Sequence, residues 1–107
     1  MKYKVIQSKN FNQSFDDVFN YIYKNLKSPK AADNFRKRVI ESAKNLQTMP
    51  EAYPRLEGIK FKNKPVRFFN VKNFTVLFVV KKDTVIMHNL VYSKSNTKSN
   101  ISNKNKD

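Results

Sequence analysis

The chain has 107 residues, enough for one small domain and no second one, with no Cys and a single His, which excludes a disulfide framework, a thiolate metal site and a His-based metal centre; neither metal nor cofactor is expected. The net charge of +14, only partly the product of a Lys-, Asn- and Ile-rich composition, points to an anionic partner, nucleic acid or an acidic protein. No stretch approaches the ~18 apolar residues of a membrane span, and the opening MKYKVIQSKNF lacks the apolar run of a secretion signal, so the expectation is a cytoplasmic protein with no membrane partner.

Tyr3 and Val5 alternate with Lys2, Lys4 and Ile6, which predicts a short first strand. Phe11, Phe15, Val18, Phe19, Ile22 and Leu26 follow helical spacing and predict an amphipathic helix from about Asn12 to Lys27. Ser28-Pro29 ends it and opens the next helix, with Ser28 as N-cap and Pro29 in the first turn. That second helix buries Ala32, Phe35, Val39, Ala43 and Leu46 and stops at Met49-Pro50.

Pro50, Pro54, Gly58 and Pro65 then read as an irregular connection. Val66 to Val71 is a strand, Lys72-Asn73 a hairpin tip, and the nearly continuous apolar run Phe74 to Val80 the central strand. Lys81 to Thr84 is a turn, and Val85 to Tyr92 the last strand. Ser93 to Asp107 holds one apolar residue, Ile101, and too little to offset its ordering entropy. The expected division is a domain over 1–96 and a flexible basic tail over 97–107. The order β-α-α-β-β-β gives an α+β fold: a helical hairpin on a small, curved, mostly antiparallel sheet.

That order, together with the strings MKYKVIQS, SPKAADNF, LQTMPEAYP, RFFNVKNFTVLFVV and IMHNLVYSKSN, resembles the RelE/ParE superfamily of toxins from bacterial type II toxin–antitoxin modules. The likeness runs from Met1 to about Asn96 and is similar in particular to the plasmid-stabilisation branch, RelE/StbE-like. The resemblance implies two helices against a curved sheet and a cognate antitoxin that wraps the toxin, in a complex such as a heterotetramer. It implies one of two activities. RelE-like members enter the ribosomal A site and cleave mRNA, so that ribosome and mRNA are the partners. ParE-like members act on DNA gyrase. The sequence reading favours the ribonuclease, with the gyrase inhibitor and a weakened toxin relic as alternatives.

Cleavage through the 2′-hydroxyl needs a proton acceptor, a group to stabilise the phosphorane and a proton donor for the leaving oxygen. The resemblance assigns Arg67 to the scissile phosphate, with a surface ion pair or an antitoxin contact as its structural alternative. It assigns acid–base work to Tyr92 and phosphate contact to Lys94, where the family is richer in arginine. Lys60, Lys62 and Lys64 alternate between Gly58 and Lys82, a run without a carboxylate, and are expected on one side of an extended segment as an RNA-binding row. Phe61 lies between them as a base-stacking or core residue. His88 is expected to share a face with Ile86, Leu90 and Tyr92, and Asn89 stands where many relatives have arginine. Glu51 and Glu57 are the carboxylates near the loop, with no role singled out for either.

Overall fold

In the computed structural model, residues 2–93 are described; Lys94 and the tail expected over 97–107 lie outside them. Strand β1 (Lys4–Gln7) leads into α1 (Lys9–Asn20), which continues as a π-helical segment, Tyr21–Asn25. Helix α2 (Pro29–Asn45) and a 3-10 turn (Pro50–Ala52) follow, and then β2 (Arg55–Phe61), β3 (Lys64–Val71), β4 (Phe74–Lys81) and β5 (Thr84–Tyr92). The expected α+β architecture is present, with one strand more than the sequence suggested.

Caps set the helix ends. Ser8 Oγ accepts from Phe11 N at 3.0 Å and starts α1 earlier than the apolar stripe indicated. Ser28 Oγ accepts from Ala31 N at 3.3 Å, with Pro29 in the first turn, as its sequence position implied. Between the helices the ladder loosens: Leu26 N reaches back to Tyr21 O at 3.2 Å, and Ser28 N to Ile22 O at 3.3 Å.

The sheet order is β1-β5-β4-β3-β2, with β1 parallel to β5 and every other pair antiparallel. Strand β4 is central, as its composition requires, and is buried on both faces. One face packs on the helices through Phe11, Phe35, Val39, Leu46, Phe78 and Met87. A second cluster on the other face joins Ile59, Val66, Leu77 and Val79.

Two irregularities overturn local expectations. The stretch read as a loop contains β2, whose apolar residues Leu56, Ile59 and Phe61 break strict alternation because the register shifts between Arg55 and Lys60. Gly58, at φ +76°, lies inside that shift, where a side chain would strain the backbone. In β5, Leu77 pairs with Asn89 but Phe78 with Met87, so His88 is an extra, bulged residue. The bulge separates His88 from Leu90: the His88 ring lies 4.1 Å from that of Phe61, beside the second cluster, while Leu90 belongs to the helix-side core.

Candidate functional site

Arg67 sits on β3 on the same side as Phe69, toward the helices, and is 8% exposed. Its Nη1 donates to Glu51 O at 3.0 Å and Tyr53 O at 2.7 Å. A buried guanidinium with carbonyl acceptors fastens the chain after α2 onto the sheet. Phe68 N to Pro54 O at 3.1 Å adds a second tie, and the Tyr53 ring packs against Phe69 and Phe78, both at 5.8 Å. The surface ion pair considered for Arg67 is therefore replaced by an internal clamp. Glu51, the carboxylate nearest to it in this segment, accepts from the Tyr3 hydroxyl at 3.0 Å. That bond, then burial and the Glu51 charge, hold the Tyr3 hydroxyl above its ordinary value, so it stays protonated.

Tyr92 is 43% exposed at the far end of β5, its ring 5.5 Å from Phe74. Arg67 is level with Phe78 and Tyr92 with Phe74, four residues apart on β4. That spacing is roughly 13 Å along the strand, with two strand spacings across besides. Arg67 and Tyr92 are thus not brought together. Lys94 lies outside the described residues.

The lysines expected as one row are split. Lys62-Asn63 form the two-residue turn between β2 and β3, with both residues at positive φ. Lys60 pairs with Pro65 and Phe61 with Lys64, so Lys60 and Lys64 lie on opposite faces of the ladder, with Lys62 at its tip. The three lysines do not share a side because the chain reverses within the triplet. All three side chains are solvent-exposed, and Lys62 Nζ lies 5.4 Å from the centre of the Phe61 ring.

Two surface grooves were not foreseen from the sequence. A groove of about 640 Å³ runs between the helical hairpin and the β3–β4 turn, lined among others by Tyr21, Ile22, Leu26, Phe35, Phe74 and Tyr92. Tyr21 and Leu26 are 50% and 56% exposed there. A second, of about 490 Å³, lies between α1 and α2 beside β1, with Phe15, Val39 and Ile40 as apolar lining and Asp16, Arg36 and Lys44 as charged lining. The signal was present in the sequence: the first apolar stripe extends through Leu26, past the end of the regular helix.

A family model, the ParE toxin of the type II toxin–antitoxin system parDE, matches residues 5–91. The chain belongs to the ParE toxin family. It is therefore a toxin of the RelE/ParE superfamily, as the sequence resemblance indicated. Among solved structures it is similar to a chain of the chromosomal ParDE system from P. aeruginosa, at 16% identity and a TM-score of 0.68, covering 87% of this chain and 98% of that one. It is also similar to a chain of the archaeal RelE–RelB complex from Pyrococcus horikoshii OT3, at 15% identity and a TM-score of 0.60, covering 89% and 99%. No curated protein matches it in sequence. At these identities the two structures establish the fold of this ParE-family toxin and nothing finer. No helix among its described residues is long and apolar enough to cross a membrane.

Proposed function

We propose that this toxin acts by binding DNA gyrase rather than by cutting mRNA. The observation that carries the reading is the placement of Arg67. A ribonuclease of the kind first expected needs its cation and its acid–base group within about 3 Å of one phosphate. Here the guanidinium is buried against Glu51 O and Tyr53 O, and Tyr92 lies more than 10 Å away by strand geometry. Membership of the ParE family supports the same target.

The partner that neutralises the toxin is its cognate antitoxin, in keeping with similar chains from toxin–antitoxin systems. The antitoxin lays apolar side chains into the groove of Tyr21, Leu26, Phe74 and Tyr92, where large hydrophobic surface already stands exposed. Two assays on the purified toxin test the target. Inhibition of gyrase supercoiling, with mRNA left intact in primer extension during translation, is the expected result. Codon-positioned cuts that vanish when translation is blocked, with gyrase unaffected, would return the chain to the ribonuclease reading.

A further inference from the structure

The topology gathers lysines that are far apart in sequence at one end of the sheet. The β2–β3 turn presents Lys62, the β4–β5 turn presents Lys82, and both turns lie at the same end because β3 and β4 run antiparallel. β3 and β4 pair from Val71↔Phe74 to Arg67↔Phe78, and Lys64, at the start of β3, and Lys81, at the end of β4, both lie beyond that last pair on the turn side. On the other flank, Lys4 pairs with Thr84 and its backbone N–H donates to Asp83 O at 2.8 Å, with Lys2 just beyond. Lys2, Lys4, Lys62, Lys64, Lys81 and Lys82 are all exposed. None of the six forms an ion pair with a carboxylate among the described residues. The nearby carboxylates are Asp83, in the turn itself, and Glu51, which accepts from Tyr3.

We infer that this end of the sheet is a binding site for the phosphate backbone of duplex nucleic acid. Five strand ends meet here on a sheet that curls, since the Phe61 ring on β2 lies 4.1 Å from the His88 ring on β5. A duplex carries one phosphate charge per ~1.7 Å of axis, both strands counted, a density of negative charge that a cluster of lysines complements. The chemistry of the cluster selects among anionic partners. Protein interfaces are depleted in lysine and centre on aromatic or aliphatic anchors. Here the one large apolar side chain beside the tip, Phe61, is half-buried under Lys62 and against His88. Single strands are held by exposed aromatic platforms. The strongly exposed tyrosines, Tyr21, Tyr23 and Tyr92, are on the π-helical segment and at the opposite end of β5. What remains is a surface whose cations are all lysines, with Asp83 as the carboxylate in one turn, and lysines contact phosphates without reading bases. This site stands independently of the target the toxin poisons.

The test compares two variants of the full chain that lose equal charge. One is Lys62→Gly/Lys64→Ala/Lys81→Ala/Lys82→Gly, in which glycine suits the positive φ of both turn positions. The other is Lys24→Ala/Lys30→Ala/Arg38→Ala/Lys44→Ala, on the exposed sides of the helices and their junction. Affinity for a fluorescent 20-bp DNA duplex of arbitrary sequence is measured by anisotropy across a salt series, after thermal melts confirm that both variants fold. Each lost phosphate contact removes ~0.9 from the slope of log K against log salt, so the sheet-end variant flattens it by about 3 to 4. The helix variant leaves it nearly unchanged. Equal flattening in both variants would mean diffuse attraction by net charge, and would overturn the site. Equal or tighter binding of a single-stranded 20-mer would overturn the assignment to duplex. Equal or tighter binding of a polyglutamate peptide would make the partner an acidic protein.

Discussion

Ser14 Oγ donates to Asn89 Oδ1 at 2.7 Å, tying α1 to the bulged part of β5 across 75 residues of sequence. The same oxygen accepts from Leu90 N at 2.9 Å, which supplies a partner for a buried amide beside the bulge. Asn89 is 5% exposed, so no bulk water replaces it. Asn89→Ala is expected to destabilise the fold by about 1–3 kcal/mol, read from the urea midpoint at unchanged slope. A loss below about 0.5 kcal/mol would show that the bulge holds itself without the amide.

Arg67→Ala removes the clamp on Glu51 O and Tyr53 O and leaves both carbonyls facing a cavity. A loss of about 2–4 kcal/mol is expected in chemical denaturation. Any fall in toxicity of this variant should therefore track the loss of folded protein. A fully stable Arg67→Ala protein that has lost toxicity would instead give the guanidinium a direct role at the target.

The remaining tight turns are strained. Lys72 and Lys82 adopt φ of 53° and 57° at the first position of two-residue hairpin loops, while Asn73 and Asp83 do not share the positive φ. That is the pattern of a II′ turn, whose first central residue is preferentially glycine. Lys72→Gly should raise stability by about 0.5–1 kcal/mol, seen as a melting temperature several degrees higher. A lower melting temperature would show that the lysine side chain contributes more than its backbone costs.

Asp33 meets Arg36 at 2.9 Å and Lys37 at 3.1 Å on the surface of α2. The hydrogen bond to Arg36, then that to Lys37, holds its carboxyl below the ordinary value of 3.8. A depressed folded value means that its contribution is complete above the unfolded value and is lost as pH falls through the lower folded one. NMR titration should give an Asp33 midpoint below 3.8, returning toward 3.8 when Arg36 and Lys37 are replaced by Gln. An unmoved midpoint in that variant would remove the pairs as its cause.

The groove residues Tyr21 and Leu26 are more exposed than a core needs. Tyr21→Ala and Leu26→Ser should change fold stability by no more than about 0.5 kcal/mol. Antitoxin affinity should weaken by roughly 10-fold or more for each, because exposed aromatic and aliphatic anchors dominate such contacts. Unchanged affinity by calorimetry would move the antitoxin elsewhere.

Several elements were legible because local signals agreed. Ser28 and Pro29 announce α2, and Phe74 to Val80 could only be a strand buried on both faces. What escaped depends on irregularity or on distance. Leu56, Ile59 and Phe61 keep neither period, because a register shift intervenes. His88 keeps the expected face with Ile86 but not with Leu90, because a bulge resets alternation and leaves no local mark in sequence. Arg67 read as a surface cation because nothing in its neighbourhood announces that carbonyls 14 and 16 residues away will receive it. The basic end of the sheet was seen only in part. Lys4, Lys64 and Lys82 come to the same end of the sheet through topology alone.

The pairing of Val5 with Val85 has a kinetic consequence. Within this domain the first strand made waits for the last, since β1 pairs only with β5. Loop closure over such a separation costs only slowly more with length, yet non-local pairings delay folding. Until Val85 is available, β1 has no sheet edge to join and the apolar faces of α1 and α2 have only part of their floor. The toxin is thus expected to mature as a single late event rather than to grow gradually harmful during synthesis. Slowing its translation should postpone that event without releasing a partly active form.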